Sequence, residues 1–247
     1  MVRVHSMAEP LLRETLSLLP DPLAPPEQVA VVWQRSVRAR RVSLRIDAAE
    51  GAVLITLPPR GSRKSGLTLL QAHARWITQR LRALAPAQPF EPGGVVPIGG
   101  LPHLIIHAPE ERGGAFLHGQ TLVVTGAAEF LPRRVADFCR AEAGRRLSQR
   151  VAHHAARIGV APRTIRLKDT RSRWGSCAPD RTLAFSWRLV LAPDWVLDYV
   201  AAHEVAHLRH MNHGPDFWAL LTEMSPHRAV AETWLKRHGP GLLRVGV

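Results

Sequence analysis

Pro193-Asp194-Trp195-Val196-Leu197-Asp198-Tyr199-Val200-Ala201-Ala202-His203-Glu204-Val205-Ala206-His207 is the stretch from which the rest of the chain is best read. Proline is favoured at the first helical position, and aspartate is stabilised by the positive end of the helix dipole. The stretch therefore predicts a helix that starts at Pro193. On it Val196, Tyr199, Val200, His203 and His207 lie on overlapping faces. Residues four apart are neighbours on a helix surface, so His203 and His207 offer two imidazoles to one ion. Glu204 stands one position round, near that ion but off the ligand axis. Histidine-glutamate-x-x-histidine on a helix is the pattern of zinc peptidases.

Zinc in a catalytic site takes three protein ligands and keeps one position open for water. Four residues compete for the third place. His210 shares the helical face, but on a straight helix it sits about 10 Å along the axis from His203, too far for easy convergence. His213 returns to the metal only if the helix ends near residues 209–212. Asn212 tolerates the left-handed conformation that ends helices, and Gly214-Pro215 forbids smooth continuation. Glu223 and Glu232 are acidic alternatives on a following helix. His213 is favoured, because its six-residue offset from His207 matches a known metal-peptidase spacing, with His210 standing where that pattern has glycine. With zinc polarising a carbonyl and acidifying its water, Glu204 has the place of a general base. Tyr199, Arg173 and His227 are candidate donors to the oxyanion.

Working outward, composition changes at about residue 130. Pro132 opens a long helix to about Ile158, with Val135, Phe138, Leu147, Val151, Ala155 and Ile158 along one side. Short strands follow at 164–167, 173–177 and 183–187, the last two joined as a hairpin by Ala178-Pro179-Asp180-Arg181. Upstream, 29–33, 41–46 and 53–57 read as strands, with strict alternation of Val42, Leu44 and Ile46. Glu50-Gly51 suits the turn between the second and third. Residues 64–85 keep helical spacing through Leu67, Leu70, Ala74, Ile77 and Leu81. More strands are expected at 95–98, 104–106 and 121–124. Residues 1–27, ending in a proline-rich run, read as a flexible N-terminal tail. No internal repeat is visible. The fold class expected is α+β, with a β-rich region over 28–129 and a catalytic domain over 130–240, or the two together as one unit over 28–240.

The chain has 247 residues, 46% hydrophobic, enough to build a core without disulfides. Its two cysteines, Cys139 and Cys177, form no disulfide framework, which points to reduced thiols in a cytoplasmic protein. No secretory signal and no apolar run of membrane-spanning length is present, so no membrane partner is expected. The net charge of +13 favours nucleic acid, anionic surfaces or acidic partners. Few aromatics interleave the arginines, so no base-stacking platform is visible.

Three segments carry a resemblance. They are Arg173-Trp174-Gly175-Ser176-Cys177, Phe185-Ser186-Trp187-Arg188-Leu189-Val190-Leu191-Ala192-Pro193, and His203 to His213 with Phe217-Trp218. Together with residues 40–46, Pro89-Phe90 and Pro97-Ile98-Gly99-Gly100, they resemble the YgjP-like metallopeptidases, which are similar to SprT-like proteases. The resemblance spans about residues 30–240. It implies a zincin-like α+β fold, Zn2+ held by His203, His207 and His213, Glu204 as base, and a protein or peptide substrate. It also implies that residues 173–177 form a strand beside the active-site helix, although Trp174 and Trp187 equally suit core packing. A Cys177 nucleophile is disfavoured, because its histidine partners would already hold metal. Two other functions remain compatible: a nucleic-acid-associated protease acting on DNA-bound proteins, and a non-catalytic zinc-binding module.

Overall fold

The structure, a computed structural model, describes residues 12–23 and 25–247. It is mixed α/β, with three sheets and six α-helices among the described residues. The chain divides into two compact units, one reaching to Ala85 and one spanning Pro86–Val247.

In the first unit, β1 (Leu12–Leu18), β2 (Glu27–Arg35), β3 (Ser43–Asp47) and β4 (Ala52–Leu57) form a sheet in the order β1-β2-β4-β3. Helices α1 (Arg63–Ala72) and α2 (Ala74–Arg82) cover one face. Val29, Val31 and Trp33 alternate inward along β2 and meet Val53, Ile55, Leu70, Ala74 and Ile77. The expected tail is thus partly a strand. Residues 1–11 lie outside the described residues, but Leu12–Leu18 pairs with β2 along its whole length. Leu18 is buried and Leu16 packs on the same core, so the proline-rich run is the connection of two paired strands. The expected single helix over 64–85 breaks at His73, whose ψ of 14° leaves the helical region. Leu70, Ala74 and Ile77 keep helical spacing across the break, so periodicity carried no sign of it.

In the second unit, β5 (Val95–Ile98), β6 (Leu101–Ala108), β7 (Ala115–His118) and β8 (Thr121–Thr125) form a sheet in the order β5-β6-β8-β7. Its topology repeats the first sheet: an outer antiparallel pair, a central parallel pair, and a second outer antiparallel pair. In both units helical structure follows the sheet. This repeat was invisible in the sequence, because strand alternation accepts any apolar residue and leaves no matching letters.

Helix α3 (Leu131–Arg157) presents Leu131, Val135, Cys139, Ala143, Leu147, Val151 and Ala155 at four-residue spacing, all buried. This stripe packs on Val96, Ile98, Ile105, Leu122 and Val124 of the second sheet and on the elements that follow. Phe138, expected on that side, is only half-buried; Cys139 takes the inward place. The compositional change near residue 130 therefore marks a passage from strands to helix within one core. The compact unit begins instead at Pro86. A third sheet, ordered β10-β11-β9, comprises β9 (Thr164–Lys168), β10 (Gly175–Cys177) and β11 (Thr182–Ser186). β10 and β11 form the expected hairpin, with Arg181 at a φ of 65° in its turn. Helices α4 (Asp194–Ala206), α5 (Pro215–Met224) and α6 (Arg228–Leu242) complete the unit.

Two contacts fix the start of α4. Gly99 and Gly100 join β5 to β6 at φ of 63° and 78°, and a Cβ on Gly100 would lie 2.8 Å from the Pro193 ring. Glycine is needed both for the left-handed backbone and for this approach. Arg146 bridges α3 to α4, donating to Glu142 and to Asp194 at 2.7 Å each. Pro193 itself is the N-cap and Asp194 the first helical residue, one position later than expected. Hydrogen bonds from Arg145 and Arg146 hold Glu142 down to a pKa of about 2 against burial. A carboxyl depressed in the folded state stabilises above its unfolded pKa and loses that contribution as pH falls toward its folded value. Wild type should exceed Glu142→Gln in stability by about 1 kcal/mol at pH 6. Thermal unfolding should show this margin shrinking from about pH 4.5 toward pH 2.

Candidate metal centre

Helix α4 ends at His207, two to five residues earlier than the sequence suggested. The N–H groups of Leu208 and Arg209 turn back to the carbonyls of Val205 and Ala206, at 2.9 and 3.1 Å. These tight bonds satisfy the end of the helix without a left-handed residue. Asn212 accordingly keeps a negative φ, and Arg181 is the one non-glycine at positive φ among the described residues. The chain reverses over 208–212, and Gly214 and Pro215 start α5.

This reversal brings His213 back to α4. The nitrogen donors of His203, His207 and His213 lie within 4.8 Å of one another. Among the described residues, no other group of three or more histidine, cysteine or acidic side chains converges in this way. His210, Glu223 and Glu232 are not in it. His210 instead supplies its backbone carbonyl, 3.0 Å from His207 Nδ1. A carbonyl only accepts, so the His207 proton belongs on Nδ1 and the Nε2 lone pair is left for a ligand.

The rings are locked from the α5 side. Phe217 is fully buried; it stacks on His207 at 4.5 Å and meets His203 and His213 edge-on at 5.1 and 4.8 Å. Trp218 stacks on His213 at 5.3 Å. Sequence alone assigns these two aromatics no role. Their four- and five-residue distance from His213 on a predicted helix was the available signal.

The site favours neutral imidazoles. Burial, then the neighbouring His207 and His213, push His203 down to about 4. Burial also lowers His207. His203 Nε2 and His213 Nε2 stand 3.2 Å apart. Three imidazoles converging on one point suit a divalent transition ion.

Glu204 is 6% exposed and points to the side of α4 that faces β10. Burial pushes its carboxyl up to about 7, with Arg173 pulling the other way. A Cβ on Gly175 would fall 2.5 Å from Glu204 Oε1 and 2.6 Å from its Cγ. The Trp-Gly-Ser-Cys segment is therefore the strand beside the histidine helix, and its glycine makes room for the carboxylate. Trp174 also packs against the second core and on α6 at Gly239, so it serves the core as well. Cys177 is pushed up by burial and by Glu204, the opposite of a reactive thiolate.

The three oxyanion candidates separate. Tyr199 donates its one hydroxyl proton to Glu232 at 2.8 Å and is thereby engaged. His227 packs on Trp195 at a ring distance of 6.1 Å. Arg173 is exposed and near enough to Glu204 to act on its charge.

A family model for the YgjP-like metallopeptidase domain matches residues 40–238. The chain belongs to the YgjP-like metallopeptidases, and membership implies a bound metal ion. Among solved structures, the metallopeptidase zymogen of Pyrococcus abyssi abylysin is similar at 19% identity and a TM-score of 0.34, over 41% of this chain and 99% of its own. No curated protein matches the chain. No helix among the described residues is long and apolar enough to cross a membrane.

Proposed function

We propose that this chain is a zinc-dependent peptidase with a zincin-like catalytic domain, in which His203, His207 and His213 hold the metal and Glu204 is the general base. The observation that carries the reading is the convergence of three imidazoles beside a buried carboxylate on the next helical position. When bound, zinc supplies Lewis acidity toward the substrate carbonyl and lowers the pKa of its water.

The protein's own groups do the rest. Glu204 accepts a proton from the attacking water and returns it to the leaving amine. A carboxyl held near 7 by burial suits both transfers at neutral pH. Phe217 and Trp218 fix the imidazole planes, and the His210 carbonyl fixes the His207 tautomer. Among the described residues β10 pairs with β11 on one side only, which leaves its other edge for an extended substrate. Arg173 is the group placed to meet developing negative charge.

The reading is tested by hydrolysis of an unfolded protein and its inhibition by a hydroxamate, which competes for an open metal position. A purely structural zinc would bind metal and show neither. Gly175→Ala should lower kcat about 10²-fold with metal content unchanged, because the added methyl displaces Glu204. Hydrolysis assays with parallel metal analysis read both quantities.

A further inference from the structure

We propose that the first unit carries a peptide-docking groove between β3 and helices α1–α2, and that its occupant is an extended, acidic segment of a partner protein. The groove is about 530 Å³ and is lined by Arg41, Val42, Ser43, Leu44, Leu69, His73 and Trp76. That volume lies within the usual range of binding clefts. The inference stands apart from the metal centre and does not depend on peptidase activity.

Three observations select this occupant. The first is the strand. Among the described residues β3 ends the sheet order β1-β2-β4-β3 and pairs only with β4, so over Ser43–Ile46 its outer backbone N–H and C=O groups face away from the sheet, where a further strand can add. The second is the opposite wall. Leu69, His73 and Trp76 follow at helical spacing, and Trp76 is 45% exposed on the flank of the helices. Val42 and Leu44, two apart, face the same way from the strand. A peptide added along β3 would place alternate side chains between these walls, and an apolar residue at those positions would cover Trp76.

The third is charge. Residues 12–85 hold twelve lysines and arginines against five carboxylates. Glu14, Glu27 and Glu50 are already paired with Arg63, Arg82 and Arg13. Arg38, Arg40, Arg41 and Arg45, all exposed, lead into and along β3, and Arg75 precedes Trp76. Two copies of so basic a strand repel one another, whereas an acidic strand is matched. Trp76 is the single tryptophan, tyrosine or phenylalanine lining the groove, which suits a peptide side chain better than a run of stacked bases.

The test uses full-length Glu204→Gln protein, so that the probe is not cut, and fluorescence anisotropy at low salt. The probe is a fluorescein-labelled octapeptide alternating valine and glutamate, with lysine replacing glutamate in the control. The glutamate peptide should bind saturably and at least tenfold tighter than the lysine peptide. Trp76→Ala and Arg41→Glu should each weaken it at least fivefold at unchanged Tm; both side chains are exposed, so neither change disturbs the core. Absence of saturable binding, equal binding of the two peptides, or indifference to both substitutions overturns the proposal. So does displacement of the peptide by an eight-nucleotide thymidine strand whose own binding needs Trp76 and Arg41, since the groove would then be a nucleic-acid site.

Discussion

Glu204→Gln should lower kcat for peptide hydrolysis about 10²- to 10⁴-fold and leave the metal in place. Glutamine has the size of glutamate and keeps a hydrogen-bonding head, but it takes up no proton at neutral pH. Glu204 lies outside the histidine triad, so the substitution should remove the proposed proton transfer without touching the three imidazoles. Its side chain is buried against Gly175, where an isosteric replacement fits and a smaller one would leave a cavity. Steady-state kinetics with metal analysis separates the two consequences. Metal loss together with activity would mean that Glu204 supports the ligands, and unchanged kcat would remove it from the mechanism.

His213→Ala should abolish stoichiometric zinc binding and with it hydrolysis. Two histidines one helical turn apart remain, and two ligands hold zinc far more weakly than three. His213 comes from the segment between α4 and α5 and is exposed, so its truncation opens no core cavity. The expected signature is therefore thermodynamic. Zinc at 1,000 times its Kd stabilises a protein by about 4 kcal/mol, and the variant forfeits that gain. Its Tm with zinc should match that of chelated wild type. His210→Ala should keep zinc, because residue 210 contributes only its backbone carbonyl. Exchange of these two outcomes would reassign the third ligand.

The sequence made some features legible because their physics is local. Four-residue spacing on a helix put His203 and His207 together, and a proline after a glycine announced the break that returns His213. The manner of that break was not legible. Asn212 looked like the left-handed terminator, yet the helix closes through the N–H groups of Leu208 and Arg209. Backbone bonds of this kind leave no trace in residue identity. The strands of both four-stranded sheets were mostly found, because alternation is local as well. β1 and β7 were missed: Leu12–Leu18 runs into a proline-rich segment and was read as tail, and Ala115–His118 is short and flanked by glycines.

What escaped was long-range. The apolar stripe of α3 reaches back to Val96, Ile105 and Leu122, so the second sheet belongs to the same core as the histidine helix. A boundary drawn on composition at residue 130 has no access to that contact. Gly175 shows the same limit at the site. Its place in a Trp-Gly-Ser-Cys run suggested a strand, but its need to be glycine comes from a carboxylate 29 positions later. Buried Arg188 is a further case. It donates to Asp169 at 2.8 Å and to the carbonyls of Leu242 and Val245, tying α6 and the C-terminal end to the strand layer. Nothing near it in sequence announces those partners.

The most direct measurement is zinc content and proteolysis of an unfolded protein on one wild-type preparation, before chelation, after chelation, and after zinc is restored. About one zinc per chain, loss of cutting with the metal, and recovery of both together are expected. Cutting that persists in fully metal-free protein, or a full zinc complement with no cutting of any unfolded substrate, would contradict a zinc-dependent peptidase.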